Sequence, residues 1–321
     1  MRTLLIGLGR IGMGYDLSAT SSEDAVRTHA RAFARHEGFA LVGAVDPDKQ
    51  LRAEFTQHYA QPAFASVTDA LMAVDPQVVV IATPTDSHPE ILDQVLGIPS
   101  LAAVLCEKPL AATSAEAMRM RDRAAAQGVP LFVNYIRRST PGAALIRAGL
   151  ESGSITGPLR GTVTYSDGLR HNGTHMIDLL QYWLGEPSTV ARLDFDARST
   201  SAASPDAVLQ YDDAEILFLG RESGSLELHS VQLIGPEDAV SFAAMARDLV
   251  ELKGAFADSL AAGIPLGPAG TRILPIGLPQ YQHHAVQALH MALQNSRVQL
   301  TTADEAVRNL QVIETILGGD A

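Results

Sequence analysis

The sequence predicts an α/β protein: a doubly wound parallel sheet first, then an α+β part with a mostly antiparallel open sheet. Three observations predict it. Up to about residue 133, short apolar runs alternate with alanine-rich helical stretches. A glycine turn, Gly7-x-Gly9-x-x-Gly12, follows the first run directly. Beyond residue 134, several apolar runs alternate residue by residue and few helical stretches separate them. Continuous apolar runs suit strands covered on both faces, whereas alternating runs suit strands with one wet face.

In the first part, strands are expected at 3–6, 40–45, 78–82, 101–105 and 130–133. Helices are expected between them at 24–36, 49–58, 67–74, 87–96 and 114–127, which makes a series of βαβ units. The runs end in turn chemistry at Gly7, Asp46-Pro47, Pro84 and Lys108-Pro109. In the second part, strands are expected at 159–165, 189–195, 207–211, 215–219 and 225–233. A helix is expected at 173–184, stopped by Gly185. Residues 254–279, rich in Gly and Pro, read as a long loop, and helices near 280–295 and 302–317 close the chain. A chain of 321 residues exceeds one ordinary core. The expected division is 1–133 and 134–321, with the last helix packing back on the first domain.

Composition narrows the function classes. The chain is 46% hydrophobic and 19% charged, with a formal net charge of -12. That charge disfavours nucleic acid and anionic membrane as bulk partners. Cys106 is the single cysteine, so disulfides within the chain and cysteine-based zinc sites are excluded. The start reads as strand and glycine turn rather than signal peptide, and the apolar runs are too short to span a bilayer. A cytoplasmic protein is expected.

The glycine turn has the chemistry of a dinucleotide fingerprint. Gly7 allows the tight turn, Gly9 lets backbone approach a pyrophosphate, and Gly12 permits close helix–strand packing; Arg10 and Ile11 lie between them. Asp46, after the second expected strand, can accept both ribose hydroxyls and would repel a 2′-phosphate, which favours NAD over NADP. It lies 34 residues past Gly12, against the usual ~20. The surplus fits an insertion over 13–27, leading to a helix capped near Ser21 or Ser22. Asp46 also reads simply as a turn residue before Pro47. Thr83, Pro84 and His88 follow one strand, and Glu107, Lys108 and Pro109 follow another. All therefore lie at the carboxyl edge of the sheet, where ligands bind. By chemistry alone, Lys108 reads equally as a surface charge or as a group that assists deprotonation of a hydroxyl.

These elements, together with Asn134-Tyr135-x-Arg137-Arg138 and Gly173-Thr174-His175-Met176-Ile177-Asp178-Leu179-Leu180, resemble the glucose–fructose oxidoreductase / inositol dehydrogenase / MocA family over nearly the whole chain. The resemblance implies a Rossmann domain joined to an α/β domain whose open sheet forms a homodimer or homotetramer. It implies hydride transfer between NAD and a hydroxyl or keto carbon of a sugar, cyclitol or nucleotide-linked sugar. It gives Lys108 a role in proton transfer, with a cis bond before Pro109 setting the lysine's direction, and makes His175 the acid/base. Without it, a histidine at a helix start reads as a cap or surface residue.

On the same resemblance, Tyr135, Arg138, His171 and Asn172 shape the substrate pocket, and Thr83, Pro84, His88, Glu107 and Lys108 join the cofactor set. No metal is implied. The chain departs from the family at His171, where many members have an aspartate. That departure motivates a competing reading, a cofactor- and sugar-binding regulator with little turnover. A third reading keeps the enzyme but takes an amino acid or imine. Arg137, Arg138 and Arg170 can bind an anionic substrate group or pair with the chain's own acids. Tyr182 and Trp183 read as packing residues.

Overall fold

The structure, a computed structural model, describes residues 1–17, 24–193, 203–221, 229–243, 249–253, 272–294 and 299–318. The expected caps at Ser21 or Ser22 and residues 254–271 of the expected loop lie outside these. The chain forms two compact units: Met1–Ile136 with Pro279–Val307, and Arg137–Leu278 with Arg308–Ala321. The expectation of one boundary near residue 134 is thus redrawn, because the chain re-enters the first unit at Pro279. The reason is hydrophobic: Val286 and Leu289 join the buried cluster of Phe33, Phe39 and Leu41.

The first unit holds strands β1 (Arg2–Ile6), β2 (Ala40–Val45), β3 (Ala63–Phe64), β4 (Val78–Ile81), β5 (Ala103–Cys106) and β6 (Leu131–Val133). Each of the expected strands is present, and β3 is an addition. Their order across the sheet is β6-β5-β4-β1-β2-β3, all parallel. This is the doubly wound order, which reverses direction between β1 and β4. A short strand at Thr301–Thr302 adds antiparallel to β6. β4 and β5 are buried at every residue, as strands covered on both faces must be.

The helices of this unit are α1 (His29–Arg35), α2 (Lys49–Tyr59), α3 (Val67–Ala73), α4 (His88–Val95) and α5 (Ser114–Ala126). Thr28, Asp48, Ser66 and Thr113 cap α1, α2, α3 and α5 by accepting backbone N–H bonds. α1 starts later than the expected 24–36. Residues 25–27 run in a non-helical segment whose Val26 N–H bonds to Pro279 O at 2.9 Å. Asp16 closes this segment by accepting from Thr28 N–H (2.9 Å) and Thr28 Oγ1–H (2.7 Å). Within 13–27, the described residues hold helical turns up to Leu17 and the non-helical stretch 25–27, and β2 keeps its place beside β1.

The second unit is an eight-stranded sheet. Its strands are β7 (Leu159–Ser166), β8 (Thr189–Leu193), β9 (Asp206–Tyr211), β10 (Ala214–Arg221), β11 (Ser230–Ile234), β12 (Ala239–Ala243), β13 (Leu249–Lys253) and β14 (Arg272–Leu274), in the order β14-β13-β12-β11-β7-β10-β9-β8. Only the β7–β10 pair is parallel. α6 (Pro141–Glu151), not expected from the sequence, is capped by Thr140 with Pro141 at its first turn. α7 (Thr174–Leu184) is buried at every residue through Trp183. Trp183 donates from Nε1 to Ala143 O at 3.0 Å, tying α7 to α6, and packs edge-on against Phe242. The last two helices are α8 (Tyr281–Leu293) and α9 (Ala303–Leu317). No helix among the described residues is long and apolar enough to cross a membrane.

Gly161, in central strand β7, has no room for a side chain: a Cβ there would fall 2.6 Å from Gln232 O and 2.7 Å from Ile216 Cδ1. Gly161→Ala is therefore expected to destabilise the second unit by about 1–3 kcal/mol. Trp183 is the chain's one tryptophan and is buried, so the red shift of its emission in urea should come at lower denaturant in the variant.

Candidate active site

The order reversal between β1 and β4 opens a cavity of about 750 Å³ in the first unit. Gly7, Gly9, Arg10, Ile11, Asp46, Thr83 and Pro84 all line it, which brings together most of the expected dinucleotide residues. The three glycines have different reasons. Gly7 has φ +100°, and a Cβ there would lie 2.5 Å from Ala82 O. A Cβ on Gly12 would lie 2.2 Å from Gly7 O. These two serve chain packing, and Gly12 is outside the cavity lining. A Cβ on Gly9 would meet nothing within 4 Å. The chain itself does not require glycine there, so the bare backbone facing the cavity suits close approach of a pyrophosphate.

The turn continues unusually. Met13 N–H and Gly14 N–H both bond to Gly9 O, at 2.9 and 3.0 Å, winding residues 10–14 into a π-helical turn before one α-helical turn at Tyr15–Leu17. This lets Arg10 lie 4.8 Å from the centre of the Tyr15 ring, and both side chains border the cavity. Asp46 is 8% exposed; its Oδ2 accepts Leu8 N–H and its Oδ1 accepts Asp48 N–H, each at 2.8 Å. Each carboxylate oxygen has a second lone pair available for a ribose hydroxyl. Tyr15, Ser66, Ser87 and Gln94 also line the cavity; Tyr15 follows the glycine turn, Ser66 follows short β3, and Ser87 and Gln94 come from the start and the body of α4.

Glu107 and Lys108 follow β5, and the Lys108–Pro109 peptide is cis. Glu107 is not among the cavity-lining residues. Its Oε1 accepts from His29 Nε2 (2.7 Å) and Asn134 Nδ2 (2.6 Å). Burial alone would push its pKa up, but the hydrogen bonds and charges of His29, Asn134 and Lys108 outweigh that and hold it below the usual carboxylate value. The same burial, with Glu107 next to it, pushes the Cys106 thiol well up. His88 also differs from expectation. It is fully buried, with Nε2 3.0 Å from Thr83 O and Nδ1 3.1 Å from Leu110 O. It staples the loops after β4 and β5 instead of lining the cavity. Tyr135 is buried in the same unit, and Lys108 is half-buried.

The other expected site residues belong to the second unit. His175 is the second residue of α7 and is buried. A π-helical turn, Leu169–Gly173, leads into it, started by Gly168 at φ +87°. His171 and Arg170 are exposed, and half-buried Asn172 donates to Asp167 Oδ2 at 3.4 Å. Arg138, expected on the substrate, is committed to packing. It is buried, lies 3.5 Å from Asp178 Oδ1 and stacks 4.6 Å from the centre of the Tyr182 ring. His229, which no motif marked, sits just before β11 and is buried. Its Nδ1 lies 3.5 Å from Arg137 Nη2, and its Nε2 3.5 Å from Ser166 Oγ. Burial, then the Arg137 charge, pushes its pKa down to about 4. Among the described residues, no group of three or more His, Cys, Asp or Glu is placed to hold a metal ion.

Residues 1–135 match a family described as "Oxidoreductase family, NAD-binding Rossmann fold", GFO_IDH_MocA. Among curated proteins, the chain is 29% identical to an inositol 2-dehydrogenase of Burkholderia multivorans, covering 64% of this chain and 62% of that protein. It is 27% identical to a D-apiose dehydrogenase of Paraburkholderia graminis, covering 62% and 55%. The match to an inositol 2-dehydrogenase of Leifsonia xyli is 32% identical, covering 64% and 56%. In each case the match spans less than two thirds of the relative. Solved structures share the fold over almost the whole chain. An NAD binding oxidoreductase from Klebsiella pneumoniae has a TM-score of 0.78 at 16% identity, covering 98% of this chain and 95% of that one. The WlbA dehydrogenase from Bordetella pertussis, solved with NADH and UDP-GlcNAcA, has 0.76 at 18%, covering 99% and 95%.

Two outcomes follow from the geometry. Gly9→Ala is expected to fold with near-normal stability, because its Cβ meets nothing in the chain, yet to weaken NADH binding at least about tenfold by blocking backbone approach. Equilibrium fluorescence titration and thermal melts check both halves. His229 titrates at 6.5 when unfolded and about 4 when folded. Between those values the unfolded chain binds the extra proton, so stability is lost as pH falls from 6.5 towards 4. His229→Gln should flatten that part of a melting-temperature profile.

Proposed function

We propose that this chain is an NAD-dependent dehydrogenase acting on a hydroxyl of a sugar, cyclitol or nucleotide-linked sugar, a reading supported by the match of residues 1–135 to the Gfo/Idh/MocA oxidoreductase family with its NAD-binding Rossmann fold. The observation that carries the reading is the cavity at the β1/β4 reversal. Gly9 leaves its backbone bare there, and the Asp46 carboxylate closes the end of β2. NAD over NADP is supported by that carboxylate, which repels a 2′-phosphate.

Bound NAD supplies the hydride acceptor. The chain's own groups handle the proton and the position of the substrate. His175 takes the hydroxyl proton, because an imidazole titrates near neutral pH and suits general-base work. Lys108, at the carboxyl end of β5, supplies a positive charge that stabilises negative charge growing on a substrate oxygen. His171 and Asn172 bind further hydroxyls, with His171 standing where many family members have an aspartate. The relatives' names, inositol and D-apiose dehydrogenases, support the substrate class. Self-association through the second sheet belongs to the same reading; Ile234 and Ile273, 56% and 50% exposed on its strands, support it.

Lys108→Ala and His175→Ala are each expected to lower kcat by about 100-fold or more, with NADH affinity within a few-fold of wild type. Steady-state absorbance of NADH against polyols, aldoses and UDP-sugars measures this. Losses of only a few-fold in both variants would sink the mechanism. NADH binding with no redox change on any substrate would make the chain a regulator instead.

A further inference from the structure

A closed ring of four buried side chains stands next to Lys108, and the proposed chemistry does not use it. Its members come from four separate stretches of the first unit. His29 opens α1, Glu107 follows β5, Asn134 follows β6 and Gln282 lies on α8. His29 Nε2 is 2.7 Å from Glu107 Oε1, and Asn134 Nδ2 is 2.6 Å from the same oxygen. Asn134 Nδ2 is 3.1 Å from Gln282 Oε1, and Gln282 Nε2 is 2.7 Å from His29 Nδ1. None of the four is more than 9% exposed.

Donors and acceptors run from Asn134 to Glu107 along both sides of the ring. Asn134 Nδ2 donates to Glu107 Oε1 and to Gln282 Oε1. Gln282 therefore turns its nitrogen towards His29, and His29 Nδ1 accepts. The ring proton of His29 then sits on Nε2 and is donated to Glu107. Glu107 is the acid of the ring, held below the usual carboxylate range. Around Glu107, the other titratable groups are Cys106 and Lys108 on its own segment and Tyr281 from α8, whose hydroxyl donates to Arg27 O. A buried carboxylate is costly, and neutral amides would tie the same loops together at less cost. The other oxygen, Glu107 Oε2, accepts the main-chain N–H of Lys108 at 3.4 Å, so what only the carboxylate offers is a fixed negative charge tied to the lysine's own backbone.

We propose that His29 and Gln282 are positioning residues for Lys108: through the hydrogen-bonded ring they hold the Glu107 carboxylate charged and fixed, and that carboxylate keeps the adjacent lysine as an ammonium set towards the substrate oxygen. The inference rests on the role proposed above for Lys108. His29 and Gln282 touch neither substrate nor cofactor in this scheme and act only through Glu107. Removing the His29 donor leaves Glu107 more exposed to the cost of burial, so its proton returns at a higher pH. The ammonium then loses its counter-charge in the working pH range.

The chain has three lysines, Lys49, Lys108 and Lys253, which makes the test direct. Reductive methylation with ¹³C-formaldehyde gives one dimethyl-lysine signal for each, and Lys108→Arg identifies the signal in question. In the wild-type protein the Lys108 signal should stay flat from about pH 8 to 5, because Glu107 keeps its charge. In His29→Ala it should show an inflection between about pH 5 and 7, and Gln282→Leu should show a smaller displacement in the same direction. His29→Gln, which places an N–H near the lost Nε2–H, should restore the flat curve. NADH binding and Trp183 emission confirm that each variant is folded. If His29→Ala does not fold, ¹⁵N shifts of the wild-type His29 ring decide the matter: a proton held on Nε2 against the Glu107 carboxylate is required, and an Nε2 without its proton overturns the proposal.

A Lys108 signal that ignores His29→Ala in folded protein also overturns it, whatever the turnover. Conversely, the expected inflection with no turnover on any polyol would remove the dehydrogenase reading while leaving the His29–Glu107–Lys108 coupling in place. Where turnover is found, the acidic limb of kcat should move up with the Lys108 inflection, which a merely structural loss would not do.

Discussion

The first unit depends on a contact between two stretches of bare backbone. Gly7, in a left-handed conformation, lies against the Ala82 carbonyl, and Gly12 lies against the carbonyl of Gly7. Neither position has space for even a methyl group. Because of that approach, the chain leaving β1 can turn beside the end of β4, where the sheet reverses its order. Asp46 fixes the third edge by taking the Leu8 N–H from the end of β2. Three strand ends are thus drawn together around one cavity, and Gly9, Arg10, Ile11, Asp46, Thr83 and Pro84 line it from those ends. Any side chain at residue 7 or 12 would force the strand ends apart before it touched a ligand.

Much of this was legible in the sequence, because the signals are local. A glycine at a tight turn, an acid at a strand end and an apolar run between breakers are each visible within a few residues. The start of α1 was less legible. Ala25 and Val26 are buried and continue an apparently helical pattern, but Val26 gives its N–H to Pro279, more than 250 residues away. α6 was missed because Gly142, Ala143, Ala144 and Gly149 blur its apolar period, although Thr140-Pro141 is a readable start. Least legible was the ring around Glu107. His29, Asn134 and Gln282 carry no mark in their own neighbourhoods, and only the return of α8 to the first unit brings the last of them in. His229 is similar: a lone histidine before a strand whose meaning comes from Arg137, far off in the chain.

The second unit shows how a short motif divides its labour. α7 is buried on all sides, so each polar residue on it needs a reason. In His175-x-x-Asp178-Leu179-Leu180, the two leucines are core. Asp178 accepts from Asn309 Nδ2 at 3.0 Å and faces Arg138, whose guanidinium is sandwiched onto Tyr182. The aspartate and arginine therefore anchor the helix from its own interior. His175 comes one turn earlier, directly after the π-helical turn that ends at Gly173. Asp178 and the two leucines thus hold the helix in place, and Arg138 joins them.

The return of the chain at Pro279 has a consequence for biogenesis. As the polypeptide leaves the ribosome, the first 136 residues contain all six parallel strands and could collapse early. Yet Gln282 has not been made, and neither have Val286 and Leu289, which complete the apolar cluster over Phe33 and Phe39. Until α8 emerges, Asn134 and His29 lack the amide between them, and Glu107 must be buried with part of its support missing. The nascent domain is therefore held short of completion while Arg137–Leu278 of the second unit is synthesised. Its final closure thus follows the synthesis of that stretch rather than of its own six strands.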